Sequence, residues 1–327
     1  MNQVKKVIYK VNTVGIAKTA KQCMDEMARP FVPAVHKNRW NRLSRKSGFS
    51  GVSNEKREQE LIVSLTTYPA RIQYIHTVIE SLMMQTTKPN KIILWLANEQ
   101  FPEKEVGLPE DLLSLKRYGL TIDWCNDIRS YKKLIPTIKK YPDAVIITAD
   151  DDMYYHPKMV QRLYDEFLKN PNYIHCHRVT KFYMRNGKFE TTAGGYDIYK
   201  HPSYLHKLTG GSGSCYPPQS LPQDMTDESL FMRLAPTNDD IWFWLMGVLA
   251  GLRCNVVKHS YPALYFVEGS QTEALNYVND RGEKLFWKQF KNILDYYPQL
   301  EDILKNEWKM EIKKRIDFGG NHDESVE

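Results

Sequence analysis

A chain of 327 residues, 42% hydrophobic and 12% aromatic, has enough apolar surface for a large core, which excludes a disordered chain and a minimal disulfide-stapled module. No run approaches the ~20 apolar residues of a membrane span, and the longest, Ile241 to Leu252, reads as a buried helix. The formal charge of +6 is uneven: residues 1–50 carry eleven Lys/Arg against Asp25 and Glu26, a balance of +9, leaving −3 for the remainder, so the N-terminal segment is the part that seeks an anionic surface.

Val4, Val7, Ile8, Val11 and Val14 fall at helical spacing, with Lys5, Lys6 and Lys10 on other faces. The pattern predicts a short cationic amphipathic helix, lying on an anionic membrane, docked on the domain, or in an oligomer contact. His36 to Glu60 is polar, basic and punctuated by Gly and Ser, and reads as a linker or exposed arm. Leu61–Pro69 then reads as a strand and turn, Arg71–Met84 as a helix and Lys91–Ala97 as a strand. Pro109–Tyr118 reads as helical, Leu120–Cys125 as a strand, Lys132–Lys140 as helical and Ala144–Ala149 as a fourth strand. Short apolar strands alternating with helices predict βαβ units and a parallel α/β sheet, whose ligands bind at the carboxyl ends of the strands.

Beyond Asp165 the alternation degrades. Tyr173–Val179, Lys181–Asn186 and Asn255–His259 read as strands, Gly194–Pro222 as a Gly/Pro-rich loop, and the region carrying Leu285, Phe286, Phe290, Ile293 and Leu294 as helical. The expected organisation is an arm over 1–60, an α/β domain over 61–265 with halves 61–155 and 156–265, and a helical extension over 266–327. Five widely spaced cysteines without a CxxC pair, no N-x-S/T acceptor and no apolar leader favour a reducing, cytoplasmic setting, peripheral on the inner face of a membrane where the arm engages it.

Asp150, Asp151 and Asp152 end the fourth strand. Three adjacent carboxylates repel and cannot be buried unpaired at low cost, so a cation belongs beside them. Oxygen ligands suit Mg²⁺ or Mn²⁺ shared with a diphosphate; the alternative is a solvated turn capping the next helix. Arg129, Lys132 and Lys133 follow the third strand and can reach the same edge, either on phosphate or as ordinary surface charge. After the first strand, Tyr68 can stack on a base and Thr66 or Thr67 can hydrogen-bond it, while the lack of GxGxxG counts against a dinucleotide oxidoreductase. Asp239 and Asp240 precede an aromatic helix, either as its cap or with one of them as the base for an attacking hydroxyl. Trp242 and Trp244 offer a sugar platform or core packing. Gly210–Pro218 has neither a nucleophile-elbow nor a Walker frame and reads as a mobile loop that closes over substrate. His175 and His177 share a strand face as core or acceptor-site groups, and His259 is a further candidate metal ligand.

The run from DIRSYKKLIPTIKKYPDAVIITADDDMYY through GGSGSCYPP to NDDIWFW resembles bacterial glycosyltransferases of the GT-A fold, in the family-2 group that builds capsule, lipopolysaccharide and exopolysaccharide chains. The resemblance spans roughly residues 61–259. It implies a Rossmann-like, mostly parallel sheet flanked by helices and a nucleotide-sugar donor such as a UDP-sugar. It implies a divalent ion, Mn²⁺ or Mg²⁺, on a DxD-type element matching Asp150 and Asp152, with Asp151 the nearest competitor. Asp240 or Asp239 matches the base of an inverting transfer, and Thr66, Tyr68 and Arg71 match the nucleotide-binding segment. The chain lacks the Q-x-x-R-W element of processive synthases, which favours single additions. The expected acceptor is a glycan or a lipid-linked oligosaccharide; nucleic acid is not an expected partner, and self-association is compatible. A metal-dependent nucleotidyltransferase or phosphohydrolase, and a non-catalytic binding subunit, are the rival readings.

Overall fold

A computed structural model describes residues 23–194, 201–258, 264–270 and 285–317; the predicted helix over Val4–Val14 and the candidate ligand His259 lie outside the described residues. Helix α1 (Val32–Ser44) precedes β1 (Leu61–Thr66), α2 (Ile75–Met83), β2 (Lys91–Ala97), the single turn α3 (Glu110–Leu113) and β3 (Leu120–Cys125). Then come α4 (Ile135–Lys140), β4 (Val145–Thr148), α5 (Met159–Lys169) and β5 (Tyr173–Cys176). The described residues place these strands in a seven-stranded sheet of order β10-β5-β9-β4-β1-β2-β3, where β9 is Ser214–Tyr216 and β10 is Arg253–Val256. Strand β9 runs antiparallel to β4 and β5, and the other pairs are parallel.

Both faces of the sheet are covered, which is why β1 and β4 are buried almost end to end and mostly apolar, with Ser64 satisfied by Thr137 Oγ1 (2.7 Å). Leu61, Val63, Leu65, Val145 and Ile147 pack toward Val78, Ile79 and Leu82 of α2 and Val160 and Leu163 of α5. Ile62, Ile146 and Ile174 face the opposite cluster, built around α7 (Asp239–Leu249). A second, three-stranded sheet pairs β6 (Val179–Arg185) with β7 (Lys188–Gly194) and β8 (His206–Leu208). The helix α6 (Glu228–Leu234) leads into α7, and the final helices α8 (Leu285–Tyr296) and α9 (Gln299–Asp317) pack on the same cluster through Phe290, Ile293, Leu300 and Leu304. Among the described residues no helix is long and apolar enough to cross a membrane.

Two sequence expectations change here. The stretch from His36 was expected to be an exposed arm, but it is helical to Ser44 and docked: His36 is buried, Arg39 Nη2 donates to Met84 O (3.1 Å), and Trp40 meets Phe49 and Tyr118 edge-on. The polar composition concealed one buried helix face. The loop expected over Gly194–Pro222 instead holds β8 and, in the Gly210–Pro218 part expected to be mobile, a 3-10 turn, Gly210–Ser212, running into β9 between two parallel neighbours. A three-residue strand is too short to show a period, so its glycines read as a turn.

His177 and His206 are buried, facing Met159 O (3.3 Å) and Cys254 O (3.2 Å). Burial pushes each down to about 3 from the usual 6.5. The unfolded chain therefore binds more protons below pH 6.5, and stability falls as the pH drops through that window toward about 3. Thermal scans should show the melting temperature declining steadily from pH 7 to about pH 4.5, with a shallower slope in the His177→Gln/His206→Gln double variant. An unaltered slope in that variant would place the acid lability elsewhere.

Candidate active site

Strands β1, β2 and β3 step outward in one direction and the chain then returns to set β4 on the other side of β1. Open parallel sheets keep their ligand crevice at such a switch point, outside the carboxyl ends of the strands. Ser64 pairs with Thr148, so the residues after β1 and after β4 emerge side by side, and Thr67 and Arg71 meet the aspartate triplet there.

The three aspartates have different partners. Asp151 is buried; its Oδ2 accepts from Thr67 Oγ1 (2.6 Å) and its Oδ1 from Arg71 Nη1 (2.5 Å). Burial raises its carboxyl above the ordinary value against the pull of Arg71 and Thr67. Asp152 Oδ2 lies 3.4 Å from the same Arg71 nitrogen. Asp150 turns the other way: its Oδ1 lies 2.8 Å from Lys133 Nζ. The backbone of Asp150 is held by Tyr155, whose hydroxyl accepts from Asp150 N (2.7 Å) and donates to Gly211 O (3.1 Å).

Lys133 joins the triplet to the second acidic pair. Its buried ammonium also lies 2.8 Å from Asp239 Oδ2 and 3.8 Å from Asp240 Oδ1. Burial alone would lower its pKa; the three carboxylates outweigh that and hold it well above the usual lysine value. Asn238, not either aspartate, caps α7, accepting from Ile241 N (3.1 Å). Asp239 and Asp240 are thereby left in the first turn, where the helix dipole favours negative charge. Asp240 Oδ2 accepts from Gly210 N (3.0 Å), and a fifth of its side chain (20%) is exposed. Burial, then the neighbouring Asp239 and Asp150 charges, raise the Asp240 carboxyl, while Lys133 and Lys207 oppose them; the net direction is upward.

The glycines of β9's approach permit this convergence. A Cβ on Gly210 would stand 2.6 Å from Asp240 Oδ1 and 3.0 Å from Lys133 Nζ, and one on Gly211 would stand 3.2 Å from Asp150 Oδ2. Gly210, Gly211, Thr67 and Tyr155 are the site residues that sequence reasoning either missed or left as alternatives. A glycine pair leading a strand is the usual sign of close backbone approach, but it is visible only once β9 is recognised as a strand.

Other expected site residues sit differently. Lys132 is buried and spent on Asp127 (2.6 Å). Arg129, with a left-handed φ of 56°, donates through Nη1 to Pro236 O (3.0 Å) and ties the third strand's loop to the segment before α7. Thr66 Oγ1 donates to Trp95 O (2.8 Å), toward β2. Tyr68 is half-buried with its ring 5.6 Å from the Arg71 guanidinium, beside the triplet. Trp242 and Trp244 are buried core residues whose indole N–H groups donate to Met225 O (3.2 Å) and Tyr204 O (2.8 Å), so neither presents a platform to a sugar. His175 is also buried, against Asn170 O (2.9 Å) and Asn255.

The ion-paired groups comprise five carboxylates (Asp150, Asp151, Asp152, Asp239, Asp240) and two cations (Arg71, Lys133), a formal balance of 2 − 5 = −3. Among the described residues no group of three or more His, Cys, Asp or Glu side chains is arranged to cage a metal. Hard oxygen donors in negative excess, without an all-protein cage, fit an ion that completes its shell with phosphate oxygens and water.

No protein-family model and no curated protein sequence matches the chain. Among solved structures, a mannosyltransferase from Pyrobaculum calidifontis in complex with GDP-Man and Mn²⁺ is 12% identical over 84% of this chain and 74% of its own, with a TM-score of 0.42. A CMP:2-keto-3-deoxy-manno-octonic acid synthetase complexed with CTP is 12% identical over 61% of this chain and 88% of its own, with a TM-score of 0.35. At this distance the chemistry of the site is read from its own residues.

Removing one partner of a buried ion cluster leaves the rest uncompensated. Lys133→Met should therefore lower unfolding stability in urea at neutral pH by about 3–5 kcal/mol. Part of the loss should return as the pH is lowered toward about 5, because protonating the crowded carboxylates relieves their repulsion. A loss independent of pH would mean that packing, not charge, is what Lys133 supplies. Gly210→Ala should lower the melting temperature less than Lys133→Met does, since the atoms nearest the methyl are the ends of the Asp240 and Lys133 side chains, while displacing the Asp240 carboxylate. If the site is catalytic, the displacement is read as a drop of at least about tenfold in turnover; wild-type turnover in this variant would show that Asp240's position is not critical.

Proposed function

We propose that the protein is a divalent-metal-dependent glycosyltransferase that moves a sugar from a nucleoside-diphosphate sugar, with UDP-sugars the first to try, to a hydroxyl of a glycan or lipid-linked acceptor. The observation that carries this reading is the meeting of two acidic groups, about ninety residues apart in sequence, around one buried lysine at the sheet's switch point. A transfer between a diphosphate and a hydroxyl needs two negative centres with different tasks, one on the donor side and one on the acceptor side.

On the donor side, Asp150 and Asp152 are the residues that would hold the ion. Bound there, a divalent ion supplies Lewis-acid neutralisation of the charge that grows on the departing diphosphate. Arg71, fixed by Asp151 and Asp152, keeps the triplet from repelling itself and lies beside the Tyr68 ring, which offers a stacking face to the base. Lys132 and Arg129 are engaged by Asp127 and Pro236, so their contribution is to hold the Lys133 loop rather than to meet phosphate.

On the acceptor side, Asp240 is the better base of the pair. Asp239 is held by the Lys133 ammonium at 2.8 Å, whereas Asp240 is more distant and burial raises its carboxyl above the ordinary value, which suits proton abstraction. Asp240 takes the acceptor proton, the acceptor oxygen bonds to the anomeric carbon, and the bond from that carbon to the diphosphate breaks. Attack from the face opposite the leaving group inverts the configuration.

The test is a screen of nucleotide-sugars with Mn²⁺ or Mg²⁺, reading which phosphate product is released. Nucleoside diphosphate appearing with a glycosylated acceptor is expected; pyrophosphate, or transfer to water alone, would replace the proposal with a nucleotidyltransferase or a hydrolase. Asp240→Asn should reduce turnover by ~10²–10⁴-fold, with Asp239→Asn less affected. Because the Asp240 carboxyl is raised, kcat/KM should fall on the acid side through an apparent pKa above the ordinary carboxylate range. An acid limb that persists in Asp240→Asn would assign the base to another group.

A further inference from the structure

The N-terminal part of the described chain presents a feature that the transfer reading does not use. Residues 23–28 are helical, a 3-10 turn follows at Arg29–Phe31, and α1 continues to Ser44. One side of this run docks through His36, Arg39 and Trp40, as described above. Away from it, Met24, Met27, Phe31 and Val35 stand at helical spacing with relative exposures of 69, 74, 66 and 63%. Four large apolar side chains in one stripe, each about two-thirds exposed, are a contact surface rather than scattered surface residues.

The charge around the stripe identifies what covers it. Between residues 23 and 46 the exposed ionisable side chains include five cations, Arg29, Lys37, Arg42, Arg45 and Lys46, and one carboxylate, Glu26. Two copies meeting through this stripe would bring two cationic rims together, which disfavours self-association. A polyanion without an apolar phase would match the rim and leave the stripe in water. An anionic lipid surface satisfies both, taking the apolar side chains below the headgroups and the cations among them.

We infer that this stripe and its rim seat the protein on an anionic membrane surface. Its place in the fold gives the seat a use. Tyr265 Oη donates to Asp25 Oδ1 (3.4 Å), Tyr265 O accepts from Tyr154 N (2.8 Å), and Val267 N donates to Asp152 O (2.8 Å). His36 meets the Tyr154 ring edge-on at 5.0 Å. The helical run is thus laced, through one short segment, to the loop that carries the aspartate triplet, and the exposed Phe266 lies on that segment. A membrane under the stripe adjoins the site, where a lipid-linked acceptor would be presented. Only this use rests on the proposed transfer; the lipid contact does not, and it is measured without turnover.

The experiment is flotation of the full chain with phosphatidylglycerol/phosphatidylcholine vesicles and with pure phosphatidylcholine vesicles, at low and high salt. The wild type should float with the anionic vesicles, weakly or not at all with the neutral ones, and less as salt rises. Met27→Glu/Phe31→Glu should lower partitioning at least about tenfold, and Arg42→Glu/Arg45→Glu/Lys46→Glu should do the same. All five side chains are exposed, so the melting temperatures should stay at the wild-type value. The proposal is overturned if the wild type ignores anionic vesicles, or if it binds neutral ones equally well. Wild-type partitioning by the Met27/Phe31 variant would also overturn it, as would a lipid-free dimer that this variant dissociates, which would make a second copy the occupant.

Discussion

One buried ammonium holds the centre of this molecule together. Lys133 lies within 2.8 Å of carboxylates from two distant segments, Asp150 after β4 and Asp239 at the start of α7, and within 3.8 Å of Asp240. Without it, the triplet and the second acidic pair would repel across a partly buried edge. With it, they occupy one edge and still carry excess negative charge. The lysine is held in place from behind. Lys132 is spent on Asp127, Arg129 adopts a left-handed backbone and grips Pro236, and Tyr131 donates to Ala235 O (2.6 Å). Three residues of the same turn, Arg129, Tyr131 and Lys132, are thus committed to placing one charge.

The sheet supplies the geometry that makes the placement possible. Parallel strands deliver their carboxyl ends to one edge, and the reversal of direction at β1 and β4 opens that edge. The antiparallel insertion of β9 has a separate consequence. Because β9 runs backwards, its entry rather than its exit lies at the site, and its entry is the glycine pair. Side chains there would occupy the space that Asp240, Lys133 and Asp150 share. The strand order and the glycines are therefore two parts of the same solution to crowding.

The exposed stripe ahead of α1 belongs to a different level of organisation. It contributes nothing to the core, and its neighbours are mostly basic: residues 23–46 carry six Lys/Arg against Asp25 and Glu26. Its link to the triplet passes through residues 264–267, which hydrogen-bond to the loop after β4. An exposed stripe and an acidic edge joined by so short a path are oriented together, so a surface that engaged one would constrain the approach to the other.

Local pattern determined a good deal of this protein. The alternation of short apolar strands with helices is a statement about burial on two faces of a parallel sheet, and β1 to β4 follow it closely. Three carboxylates after an apolar strand announced a cation. What local pattern could not carry was partnership through space. That Asp151 belongs to Arg71, Asp150 to Lys133 and Asn238 to the cap of α7 depends on which strand ends the crossovers bring together. That Trp242 and Trp244 are core rather than platform depends on which side of α7 faces the sheet. The insertion of β9 and the docking of α1 escaped for a related reason: three residues are too few to show a period, and a single buried face is hidden by polar composition. Sequence decides which segments must be buried and where charge is crowded; only the folded topology decides which charge answers which, because Coulomb attraction and close packing act on distance in space and not along the chain.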